Sequence, residues 1–163
     1  MLRIPLRLHD AITEVGFWIG SVSTAYLTLV TAWEVFGRYV LRSPSDIAPD
    51  TAAVAFAMIV FLSAPQAARY MTHARMNLLH DFVRQSVAVW LDRLVYMVGI
   101  LVCGLCTWFA IAEVMRNASL DVMMITVTPI PKWVVTAPIA YCFGSMTLYF
   151  IRFFLATFTH AEN

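Results

Sequence analysis

The 163 residues are 61% hydrophobic and 13% charged, with a formal net charge of +1. Soluble domains run at about 45–50% apolar and about 25% charged, so this composition describes a chain that lives in lipid. The near-neutral balance gives no electrostatic basis for binding nucleic acid, and the length fits one unit, taken here as residues 1–163.

The chain begins "MLRIPLRLHD", with the basic character of a signal peptide's first region. The apolar stretch that follows outlasts a typical signal core of about 7–15 residues, and Asp10 and Glu14 interrupt its approach. A retained span is therefore expected. Val15 to Trp33 is an uncharged run of 19 residues, Thr51 to Ala68 of 18, Leu94 to Ala112 of 19 and Trp133 to Ile151 of 19. Each approaches the roughly 20 residues that cross about 30 Å of hydrocarbon at about 1.5 Å per residue. The expected fold class is an all-α membrane protein with four transmembrane helices, at about 12–38, 50–71, 92–115 and 132–155.

In the first span Gly16 and Gly20 form a G-x-x-x-G face continued by Ser23 and Thr24, which permits close approach of another helix. The span ends in "WEVFGRYVLR", where Glu34 and Arg38 stand at i and i+4, the spacing that pairs opposite charges on one helix face. Glu34 lies 19 residues beyond Val15, roughly 28 Å along the axis, near the outer edge of the hydrocarbon. Two readings stay open: a boundary pair whose arginine snorkels outward, or a pair buried against another subunit.

Pro65, in the second span, leaves the Phe61 carbonyl without its helical donor and is expected to kink or end that helix. The next stretch, "NLLHDFVRQSVAVWLD", sets Leu79, Phe82, Val83, Val87 and Trp90 on one side and Asn77, Asp81, Arg84, Gln85 and Ala88 on the other. It is too polar to cross, and is expected to form an amphipathic interfacial helix at about 77–91, seated among membrane lipids between spans two and three.

Cys103 and Cys106 spell C-x-x-C inside the third span, without the polar access or further ligands that redox or zinc chemistry needs, and read as small packing residues. Glu113 closes that span as an interface residue, as Glu14 opens the first. The four histidines, His9, His73, His80 and His160, lie outside the uncharged runs, which argues against axial ligation of a buried haem, and no cofactor or metal is expected. Between spans three and four, Pro129 and Pro131 stop a regular helix, and Lys132 with Trp133 anchors the start of the last span at the interface. Seven basic residues fall on the side of the termini and four on the other, so both termini are expected in the cytoplasm.

With these features assembled, the chain resembles the DctQ-type family, the small membrane subunit of tripartite ATP-independent periplasmic (TRAP) transporters. Three motifs carry the resemblance: "WEVFGRYVL" with Glu34, Arg38 and Tyr39, "SAPQAARYMTHARMNLL" with Arg69 and His73, and "TVTPIPKW" before the last helix. Two positions depart from it: "SPSDIAPDTA" lacks the aromatic often found before span two, and Asn77 stands where an acidic residue is common. The resemblance implies a non-catalytic scaffold in the bacterial inner membrane. Its partners would be a large M-type permease carrying the substrate and sodium sites and a periplasmic protein that delivers an organic acid. Glu34, Arg38, Tyr39, Gly16 and Gly20 are then expected at a subunit interface, and Arg69, His73, Phe82 and Trp90 at the cytoplasmic surface. The rival from another class is a small four-helix proton-coupled cation exporter acting as a dimer, for which Glu14 and Glu34 are the carboxylates near span one. A redox membrane anchor is a third, weaker reading.

Overall fold

A computed structural model describes residues 3–43, 47–82, 85–126 and 129–159, with the side chains of 3–6, 71–89 and 158–159 left aside. Four helices account for nearly all of it: α1 (Arg3–Phe36), α2 (Ile47–Phe82), α3 (Gln85–Ser119) and α4 (Trp133–Thr159). All four are long and apolar enough to cross a membrane. At about 1.5 Å per residue, α1 with its 34 residues extends about 51 Å and α4 with 27 about 40 Å, so both outrun the hydrocarbon.

Lipid offers no partner for backbone or hydroxyl groups, which is why the spans are helical throughout. The hydroxyls follow the same rule. Ser21, Ser23, Thr24, Thr28 and Thr31 each donate to the carbonyl four residues earlier, at 2.7–3.0 Å. The polar stripe of α1 is thereby satisfied within its own helix and needs neither water nor a solute.

The helices pack in the spatial order α1–α2–α4–α3, and α2 and α3, adjacent in sequence, scarcely touch. The α4 helix sits between them, sending Tyr149 and Arg152 toward the Asp10–Arg69 cluster and Phe150 and Phe153 toward Tyr96 of α3. Helix association in lipid relies on close steric fit more than on water exclusion. Gly99 of α3 lies against the Phe150 ring, where a Cβ would come within 3.1 Å of ring carbons. Gly16 and Gly20 occupy the α1–α2 seam: a Cβ at Gly20 would stand 2.5 Å from Ser63 Oγ, and one at Gly16 3.1 Å from the Tyr141 hydroxyl of α4. The G-x-x-x-G face expected at a subunit interface is thus used within the chain, because α2 already fills the groove that the missing side chains open.

Pro65 does not end α2, which runs on to Phe82. Its ring is fully buried. The interfacial helix expected at about 77–91 is not shown as an element of its own, since α2 continues through Phe82 and α3 starts at Gln85. The side chains of His73 and Phe82 lie outside the described residues.

Between α3 and α4 the chain makes a short antiparallel clasp. Met124 N–H donates to the Ile130 carbonyl at 2.9 Å, and Lys132 N–H to the Val122 carbonyl at 2.9 Å. Met123 and Pro131 face each other across it, so the proline occupies a position that requires no backbone donor. Asp121 turns the chain with φ of 48°.

Candidate functional site

Three polar clusters stand against the apolar background. The first gathers residues from both ends of the sequence at the edge of the bundle where α1 begins and α4 ends. Asp10 accepts from Arg152 Nη1 at 3.1 Å on Oδ1 and 3.3 Å on Oδ2. Arg69 of α2 approaches Oδ2 at 3.6 Å, a Coulombic neighbour beyond hydrogen-bond length. The Tyr149 hydroxyl donates to Oδ1 at 3.2 Å and lies 2.8 Å from Thr13 Oγ1.

Hydrogen counting orders this network. Thr13 and Tyr149 each own one hydroxyl proton. Thr13 has the His9 and Asp10 carbonyls within reach at 3.1 and 2.9 Å, and Tyr149 has the carboxylate. A charged acceptor makes the stronger bond, so the tyrosine proton belongs on Asp10. Thr13 and Tyr149 are fully buried. Around them runs an aromatic ladder across three helices: Tyr96 of α3 to Phe153 at 6.0 Å, Phe153 to Tyr149 at 6.2 Å, and Tyr149 to His9 of α1 at 4.6 Å between ring centroids. The cluster therefore ties α1, α2 and α4 at one level, and the ladder adds α3. Asp10, Thr13, Tyr149 and Arg152 form a polar network that sequence reasoning missed. The available signal was that Asp10, Arg69 and Arg152 all fall at the same end of their spans.

The second cluster closes the opposite end. Glu113 of α3 holds Arg116 at 2.7 Å on Oε2 and accepts from Asn117 Nδ2 at 3.1 Å on Oε1. Lys132, just before α4, reaches Oε1 at 3.8 Å. Asn117 is 1% exposed, and its carbonyl accepts from Val122 N–H at 3.2 Å. Lys132, expected as a membrane anchor, thus sits in an ion cluster that pins the α3–α4 clasp, beside a partly exposed Trp133.

The third lies at the far end of α1. Arg38 Nη2 donates to Glu34 Oε1 at 2.9 Å. The Glu34 side chain is 14% exposed and that of Arg38 60%. Arg38 belongs to a π-helical turn, Gly37–Leu41, that widens the helix before it stops. Arg42, in the left-handed region with φ of 53°, and Ser43 both donate their N–H to the Gly37 carbonyl. Ser43 folds its own carbonyl over Gly37, to within 3.3 Å of where a Cβ would be. A side chain there would crowd the cap, which accounts for glycine.

From Thr31 to Leu41 every residue is exposed except Glu34 and Gly37. Leu27, Thr31, Val35, Phe36, Tyr39 and Val40 line a shallow apolar trough on the side of α1 and its π-turn. Trp90, at the other end of the bundle on α3, is 73% exposed. Among the described residues there is no group of three or more histidines, cysteines and carboxylates able to hold a metal ion. Cys103 and Cys142 are buried free thiols, and Cys106 is partly so.

No curated protein matches the chain. Residues 27–160 match the family described as "Tripartite ATP-independent periplasmic transporters, DctQ component". That match spans α1 from its middle through α4, taking in the Glu34–Arg38 turn, Arg69, the Glu113 cluster and Arg152. The chain, a multi-pass membrane protein of four helices, belongs to the DctQ family, the small membrane subunit of TRAP transporters.

Proposed function

We propose that this subunit is a non-catalytic scaffold of a sodium-coupled TRAP transporter. It braces the large permease while an organic acid is delivered by a periplasmic binding protein. The observation that carries the reading is the outer half of α1, a continuous exposed apolar surface ending in a π-turn that presents Tyr39 beside the Glu34–Arg38 pair. Scattered apolar residues facing lipid need no partner. A largely covered carboxylate held by an exposed arginine at the end of a span fits a subunit contact, where the arginine gains directional partners that lipid does not supply.

The self-satisfied hydroxyls of α1 support the same reading, since they leave the span without polar groups directed at a transported solute. The positive-inside count supports cytoplasmic termini, which sets Glu34 and Arg38 on the periplasmic side and Arg69 on the cytoplasmic side. The test is reconstitution. The subunit copurifies with a much larger permease, and uptake in liposomes requires both together with the binding protein. Full uptake by this chain alone refutes the reading.

A further inference from the structure

We propose that Arg69 and Arg152 hold the phosphate of an anionic phospholipid at the rim of the bundle. The pair is over-supplied with charge. Among the described residues, Asp10 is the carboxylate that contacts either arginine, so two guanidinium groups share one negative charge and one positive charge is left over. Geometry leaves donors to use it. Arg152 spends a single nitrogen, Nη1, on both oxygens of Asp10, and Arg69 stands off at 3.6 Å. Each guanidinium carries five N–H donors in a planar fork suited to phosphate oxygens. The two side chains are 40% and 33% exposed, so the unused donors have access to the surroundings.

The location selects a lipid over a free anion. Arg69 and Arg152 directly follow the uncharged runs Thr51–Ala68 and Trp133–Ile151, at the depth where headgroups meet acyl chains. Exposed apolar side chains adjoin both arginines on their own helices: Tyr70 next to Arg69 on α2, and Leu155 one turn beyond Arg152 on α4. A diacyl lipid satisfies both halves of this surface, its phosphate diester on the two arginines and its chains along the apolar flanks. Inorganic phosphate satisfies only the first. Basic pockets between spanning helices bind anionic headgroups by this combination of charge and apolar contact. The inference requires only that the chain spans a membrane, and does not depend on which leaflet holds the site or on the scaffold reading.

The test uses the full-length chain in detergent, titrated with phosphatidylglycerol or phosphatidylcholine and followed by native mass spectrometry. The wild type retains phosphatidylglycerol in preference to phosphatidylcholine. Arg69→Gln lowers that preference about fivefold and Arg69→Gln/Arg152→Gln about 25-fold, in keeping with the usual worth of a basic side chain at an anionic bilayer. Arg116→Gln, at the opposite end, leaves the preference unchanged. Asp10→Asn separates charge from fold integrity. It lowers the melting temperature yet keeps or raises phosphatidylglycerol retention, because it adds one net positive charge at the site. If Arg152→Gln does not give a monodisperse protein, Arg69→Gln and Arg152→Lys carry the comparison, the latter retaining the lipid. Equal retention of the two lipids by the wild type overturns the proposal. So does displacement of the lipid by millimolar inorganic phosphate, or a fall in retention in Asp10→Asn matching that in Arg69→Gln.

Discussion

Replacing Tyr149 with phenylalanine isolates the energy of the Asp10 network from the packing that surrounds it. The ring stays, with its contacts to His9 and Phe153, and only the hydroxyl is lost. That hydroxyl makes one charge-assisted bond to Asp10 at 3.2 Å and accepts or faces Thr13 at 2.8 Å. A hydrogen bond to a charged group contributes about 1.5–3 kcal/mol. The lower end applies here, because Asp10 keeps Arg152 on both oxygens and Thr13 keeps two backbone carbonyls within reach. The expected loss is about 1.5 kcal/mol, or about 3–6 °C for a chain of this size. Tyr149→Ala removes the ring from a fully buried position and is expected to cost about 3–5 kcal/mol, as aromatic truncations to alanine do. The melting curve can be followed by the labelling of Cys103 and Cys142 with a thiol-reactive dye, since both are buried in the folded chain. A double-mutant cycle with Asp10→Asn completes the test. If the two changes add within about 0.5 kcal/mol, Tyr149 and Asp10 are not coupled and the assignment of the tyrosine proton to the carboxylate fails.

Two glycines of α3 should respond oppositely to the same change. Gly99→Ala drives a Cβ to 3.1 Å from the Phe150 ring and is expected to lower stability by about 1–3 kcal/mol, whereas Gly104→Ala meets Thr147 Cγ2 at 3.9 Å and should be neutral or gain about 0.5–1 kcal/mol from helix propensity. Thermal melts of the two variants check both signs. Glu34→Gln and Arg38→Gln should leave the melting temperature nearly unchanged, since i,i+4 helix pairs contribute about 0.3–0.5 kcal/mol, while reducing copurification of the large permease; unchanged recovery of the complex would rule out a role in docking. Glu113→Gln should loosen the α3–α4 clasp without unfolding the helices, read as faster hydrogen exchange at the Met124 and Lys132 amides than in the wild type.

The spans were legible because each is an uncharged run of near-membrane length, a property of neighbouring residues that needs no knowledge of the fold. The place of Glu34 and Arg38 at the far end of α1 followed from the same counting, and their pairing from i,i+4 spacing. What counting along the chain does not reach is contact between distant residues. Asp10 meets Tyr149 and Arg152 at separations of 139 and 142 residues, so its importance was hidden behind its local appearance as a break in an apolar stretch. The G-x-x-x-G of α1 announced a close helix contact but not its identity, since a neighbour in the same chain and a neighbour in another subunit impose the same demand for small residues. The lateral order α1–α2–α4–α3 was likewise invisible, because it depends on which faces of α4 are buried. The π-turn at Gly37–Leu41 had only the glycine as a hint, and glycine has several other uses.

The Asp10 network also imposes an order on biogenesis. Translation delivers Asp10 first, Arg69 with the second span and Arg152 only with the fourth. The carboxylate at the head of α1 obtains its closest cationic partner, and α4 its seat between α2 and α3, after the last helix has entered the bilayer. A chain halted after three spans carries an acidic group without that arginine, and an α3 that has little to pack against. The completed bundle and the abandoned one therefore differ in the charge balance of one membrane surface.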